Sequence, residues 1–160
     1  MNFELNYDNM VHLDAEDLAE TGIKKAYTEL LPALRQYVPK PVEVEEIIDN
    51  SAPRYVVKCR GKEYVINSPE LKDAESESWG RATCAFFDIV NSQLTNSEFR
   101  FYAINGGNDL GGMFLTPAEC EGAKRSLPRK TDWPYLPKSG CSFGMPKRTP
   151  LRLVLVVRPK

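Results

Sequence analysis

At 160 residues, 42% hydrophobic and 27% charged, the chain has the make-up of an ordinary soluble globular protein, most simply one domain spanning 1–160. No apolar run approaches the ~18–20 residues that a membrane span requires. The start Met1-Asn2-Phe3-Glu4-Leu5 has no basic region followed by an apolar block, so no secretory signal is read and bacterial cytoplasm, or cytosol generally, is the expected compartment.

The net charge is only −1, but it is unevenly placed. Residues 1–50 carry 11 acids against 4 bases, whereas residues 101–160 carry 10 bases against 4 acids. Such asymmetry marks either an interaction surface or two halves that neutralise each other. The four cysteines, Cys59, Cys84, Cys120 and Cys141, form no C-x-x-C pair, and His12 is the single histidine. No metal site of the usual spacing is expected, nor any cofactor, and the cysteines read as buried, reduced thiols.

In chain order, Phe3, Leu5 and Tyr7 alternate with polar residues as a short half-buried strand or extended arm. Asp14 is an expected N-cap, and acids crowd the first turns after it, where they oppose the positive end of the helix dipole. Ile23, Ala26, Tyr27, Leu30, Leu31, Leu34, Tyr37 and Val38 then give the clearest amphipathic helix. Pro32 lies inside it and predicts a kink or a fresh helical segment there.

Val42 to Ile48 reads as a strand with a bulge near Glu46-Ile47-Ile48. Arg60-Gly61 joins two further strands as a tight hairpin, completing a three-stranded meander. Ser68-Pro69-Glu70 has the pattern of a capped helix start, with Ala82, Ala85, Phe86, Ile89, Val90 and Leu94 on the apolar face of that helix.

A second hairpin is formed by Phe99-Arg100-Phe101-Tyr102-Ala103-Ile104, a glycine-rich loop, and Met113-Phe114-Leu115. Four of the ten glycines fall within residues 106–112, so the loop has a specified shape. Thr116-Pro117-Ala118-Glu119 is a capping box that starts a short helix to about Leu127. Residues 128–150 are proline-rich and irregular, and Leu151-Arg152-Leu153-Val154-Leu155-Val156-Val157 reads as a central strand. The fold class is α+β, with a mainly antiparallel sheet of about five to seven strands packed against two or three helices.

Three stretches compete as sites. The glycine loop is no phosphate cradle: a strand follows it, no lysine is near and Asp109 would repel an anion. It is a shaped connection, whose Asn108 and Asp109 are available to a partner. The acids Glu16, Asp17 and Glu20 on the first helix, and Glu43, Glu45, Glu46 and Asp49 on or beside the second strand, are the candidate contacts for a basic partner protein. Like charges on one strand face repel unless such a partner relieves them. No catalytic constellation accompanies these acids, so no enzymatic activity is expected. The alternative is a nucleic-acid surface on the basic, aromatic segment 124–148, with Lys124, Arg125, Arg129, Lys130, Trp133, Tyr135, Lys138, Lys147 and Arg148. No RNA-binding module signature accompanies it, so nucleic acid is the less favoured partner.

The stretch from Phe101 through the glycine loop to Thr116 resembles segments of small bacterial immunity proteins, which neutralise toxins of polymorphic or contact-dependent growth inhibition systems. The resemblance implies a cytoplasmic, non-enzymatic inhibitor that binds the toxin's C-terminal domain, often a nuclease. Separately from it, no membrane partner is expected, and the chain is expected to be monomeric apart from the toxin complex. It carries over no site residues; the acids and loop positions above come from the charge argument.

Overall fold

The computed structural model describes residues 3–71 and 75–138. Residues 3–6 form an irregular arm leading to a 3-10 turn at Tyr7–Asn9, so of the two alternatives read for this stretch the arm is observed and the strand is not. The arm still packs inward, with Phe3 and Leu5 part-buried. A short strand, β1 (Val11–His12), follows. Asp14 then caps α1 (Ala15–Glu20), its carboxylate accepting from the backbone N–H groups of Glu16 and Asp17.

A break falls at Gly22, just ahead of the amphipathic run, and no new helical segment begins at Pro32. Gly22 has φ of 133°, a conformation that costs a residue with a Cβ and ends α1 before α2 (Ile23–Leu34) begins. Pro32 lies within α2, which runs on through it to Leu34, although a proline there has no N–H to offer the Thr28 carbonyl. Ile23, Tyr27, Leu30 and Leu34 form the buried face, at the three- and four-residue spacing read from the sequence.

The meander is β2 (Glu45–Asp49), β3 (Arg54–Cys59) and β4 (Lys62–Asn67), antiparallel in that order. The β3–β4 turn is two residues long, Arg60 and Gly61, both at positive φ as such a hairpin requires. The irregularity expected in β2 is absent there. A register shift falls instead in the β3–β4 pairing, where Tyr55 pairs with Asn67 and Val56 with Val65, so that the extra residue is Ile66 of β4. Ser68-Pro69-Glu70 is a turn rather than a helix start: Ser68 Oγ accepts from the Glu70 backbone N–H, and Leu71 N–H closes onto the Ser68 carbonyl. The helix, α3 (Glu75–Asn91), begins later. Asn91 at its end bonds both backbone groups of Phe101, fastening α3 to the next strand.

The second hairpin is β5 (Arg100–Ile104) and β6 (Gly111–Leu115), with a 3-10 turn at Gly107–Asp109 between them. Gly112 is required by close approach: a Cβ there would lie 2.2 Å from Cζ of Phe101, whose ring fills the space. The Thr116–Glu119 capping box forms as expected and starts α4 (Pro117–Ser126).

The α+β class and the antiparallel pairing hold, but the strands do not make one sheet. They form two three-stranded sheets, β1-β6-β5 and β2-β3-β4. Four α-helices stand among the described residues, where two or three were expected. One face of each sheet meets the main core, in which Phe86, Phe87 and Phe101 are fully buried and Phe87 stacks on Phe101 at 4.9 Å. The opposite face of β5–β6 forms a second cluster with Cys120 of α4 and the N-terminal arm. The expected strand at residues 151–157, Cys141, and Lys147 and Arg148 of the basic segment lie outside the described residues.

Candidate functional site: an acidic band along α1

The glycine loop and the acidic helix start are distant in sequence and adjacent in the fold. Leu110, at the end of the loop, accepts from the backbone N–H groups of both Leu13 and Asp14. Asn105 and Gly107 take φ of 59°, and the loop so shaped lays Asn108 across the N-terminus of α1. There Asn108 Nδ2 donates to Asp14 Oδ1 at 3.1 Å and to Glu16 Oε1 at 3.0 Å. Asp109 beside it is exposed, as are Asp17 and Glu20 further along α1. Glu20 accepts a long bond from Trp79 Nε1 of α3, at 3.4 Å.

The band continues past Gly22 to β2. Gly22 offers no capping side chain to α2, and Glu46 supplies one from across the fold: its Oε2 accepts from the Lys24 backbone N–H at 2.9 Å. Tyr55 completes this arrangement. Its hydroxyl accepts from the Ile23 N–H at 2.7 Å and donates to Glu46 Oε2. Burial first, and then the Glu46 carboxylate, push the Tyr55 phenol far above its ordinary pKa, so it remains a donor. Glu46 thus has a structural task that the sequence does not reveal. Asp49 closes the turn after β2, accepting from the Ser51 hydroxyl at 2.7 Å and the Ser51 N–H at 3.1 Å, and these bonds hold its carboxyl below the usual range.

Between the end of α1 and the end of β2 lies a recess of about 290 Å³, lined by Glu20, Gly22, Ile48, Asp49, Arg54 and Tyr55 among others. Ile48 on its wall is 57% exposed, the most exposed large aliphatic side chain among the described residues. The recess therefore combines an apolar wall with the carboxylates of Glu20 and Asp49 and with Arg54, which stands opposite Asp49 in the β2–β3 register.

The structure brings Glu16, Asp17, Glu20, Asn108 and Asp109 together about α1, and places Glu46 and Asp49 at its far end. It does not gather Glu43, Glu45 and Glu46 onto one face. Glu43 precedes the strand, Glu46 turns toward α2, and Glu45 pairs in register with Lys58, whose ammonium reaches Glu63 at 3.4 Å. Ion pairs join Glu29 to Lys25, Glu70 to Arg54, Glu63 to Lys58, Asp88 to Lys62, Glu121 to Lys124 and Asp132 to Arg129. No acid singled out from the sequence takes part in any of them.

The rival basic segment is largely occupied with its own packing. Trp133 donates from Nε1 to the Leu127 carbonyl at 3.1 Å, with the Lys124 and Lys130 ammoniums over its ring at 5.6 and 5.8 Å. Arg129 bonds Asp132, and Tyr135 pairs with Ala103 of β5 through both backbone groups. Cys59 and Cys120 are buried and burial pushes their thiols up, away from the thiolate a nucleophile needs, while Cys84 is half-buried. His12 is exposed on β1. No group of three or more His, Cys, Asp or Glu residues able to hold a metal ion occurs among the described residues, and no helix among them is long and apolar enough to cross a membrane. No protein-family model, curated protein or solved structure matches the chain.

Proposed function

We propose that this protein is an inhibitor of the immunity type, which binds the toxic C-terminal domain of a bacterial inhibition system and blocks its substrate groove. The toxin domain is basic, as a nuclease would be, and the complex forms in the cytoplasm. One observation carries this reading: among the described residues, the acids along α1 and in the glycine loop take part in none of the ion pairs above, whereas acids elsewhere do. Uncompensated charge of one sign beside an apolar recess suits a partner of the opposite sign, steering its approach and offering an anchor point. The resemblance of residues 101–116 to immunity proteins supports the same reading, since that stretch places Asn108 and Asp109 in the band.

The test is co-expression with the C-terminal domain of the protein encoded by the neighbouring upstream reading frame. The expected outcome is a stable complex and protection of the host cell, with an association rate that falls as salt rises. Free migration of the two proteins, with the cells unprotected, would overturn the assignment. The nucleic-acid reading gains no support from residues 124–138, whose aromatic rings and several of whose cations are engaged internally.

A further inference from the structure

A second concavity, of about 530 Å³, lies between the N-terminal arm, the end of α2, β6 and the start of α4. Three half-buried rings stand together in its wall. Tyr37 stacks on Phe114 at 4.4 Å between centroids and meets Phe99 at 4.9 Å. Glu4 and Glu119 also line it, with amide side chains at Asn6, Asn9 and Gln36, and no lysine, arginine or histidine is among its lining residues. The Tyr37 phenol is raised by burial first and by Glu119 second, so it stays neutral and adds no third negative charge.

This composition selects by charge and by shape. An anion would meet two carboxylates, and a purely apolar group would strip water from them without replacing it. A flat cation satisfies every part: its face lies on aromatic rings, its N–H groups reach carboxylate and amide oxygens, and its alkyl stem covers apolar wall. We infer that this aromatic groove receives an arginine side chain presented by a protein partner. The groove shares no lining residue with the acidic band, so it constitutes a second point of contact. The proposed inhibitory function stands or falls independently of it.

The experiment is an NMR titration of the 15N-labelled full chain with Nα-acetyl-arginine amide. The neutral isostere Nα-acetyl-citrulline amide is the control. The arginine probe is expected to give saturable shifts at the backbone amides of Tyr37, Phe99, Phe114 and Glu119, with a dissociation constant on the order of 1 mM for so small a ligand. The citrulline probe is expected to bind about tenfold more weakly, because it keeps the shape and loses the charge. A Glu4→Gln, Glu119→Gln double variant is expected to weaken the arginine probe by a similar factor. Glutamine at position 119 preserves the capping box, so α4 remains formed. Absence of saturable shifts at these amides, equal binding of the two probes, or unchanged binding by the double variant would each overturn the assignment.

Discussion

The acids of the β3–β4 hairpin and its neighbours differ from those along α1 in how the chain treats them. Glu63, Glu70 and Asp88 each face a lysine or arginine of the same seam, so their charge is spent within the fold. Asp14, Glu16 and Glu46 are held instead by neutral donors: backbone N–H groups, the Asn108 amide and the Tyr55 hydroxyl. Neutral donors fix a carboxylate in place and, even at a helix N-terminus, offset only part of its charge. A region built this way keeps its negative potential and presents it in a defined shape, and that separates a partner surface from a merely solvated face.

Five perturbations break or sharpen this contrast, in decreasing order of expected effect. Gly112→Ala drives a methyl group into the buried Phe101 ring and distorts the hairpin that presents Asn108. It should cost about 2–3 kcal/mol of stability, measured by urea unfolding. Tyr55→Phe removes the hydroxyl shared by Ile23 N–H and Glu46, leaves a buried donor unpaired and should cost about 1–3 kcal/mol in the same assay.

Charge reversal should separate the two regions directly. Lys62→Glu sets a like charge against Asp88 and should destabilise by about 0.5–1 kcal/mol, since the pair is partly exposed. Glu20→Lys with Asp109→Lys, in the unpaired band, should change stability by no more than ~0.5 kcal/mol. A large loss from the second variant would show that these acids serve the fold.

The pH profile supplies the smallest effect. Burial pushes Asp88 up, but the Tyr64 hydroxyl and the Lys62 ammonium outweigh it and leave the carboxyl below its ordinary value. Stability from Asp88 is therefore present above the unfolded carboxylate range near pH 4 and lost as pH falls through the lower folded value. Tyr55 and Tyr64 are raised above 10.0, chiefly by burial and then by Glu46 and Asp88 respectively. Their contribution is full below pH 10 and declines as the solution becomes more alkaline. Tyr55→Phe should make that alkaline decline shallower in a pH series of thermal midpoints.

Local chemistry was legible in the sequence, and long-range pairing was not. The Arg60-Gly61 turn, the Thr116 capping box and the Asp14 cap each depend on residues within a few positions of one another, and each forms as read. The break at Gly22 leaves no mark in the apolar spacing, which begins only at Ile23; it is made by a backbone φ of 133° that spacing does not report. Ser68-Pro69-Glu70 carries a helix-start pattern, yet the serine hydroxyl closes a turn with the same donors. The division into two sheets is set by which strands meet across more than 90 residues, as β1 and β6 do. No spacing rule reports that.

The site follows the same division. The acids of α1 were visible as charge beyond what the apolar face needs. Contact between Asn108 and Asp14 was not visible, because it spans 94 positions and depends on the loop's positive-φ residues. The grouping of Glu43, Glu45 and Glu46 failed for a simpler reason: neighbours on a strand point to opposite faces, and Glu46 had a helix to cap.

The most direct test of the central claim is the association rate with the C-terminal domain of the upstream gene product, measured for the wild type and for the Asp17→Lys, Glu20→Lys, Asp109→Lys variant. Stopped-flow mixing at low and at physiological salt provides the reading. If the unpaired acids form the partner surface, the variant should associate about 10–100-fold more slowly at low salt, with a much flatter salt dependence. An unchanged rate and an unchanged salt slope, in a variant that folds normally, would contradict the account.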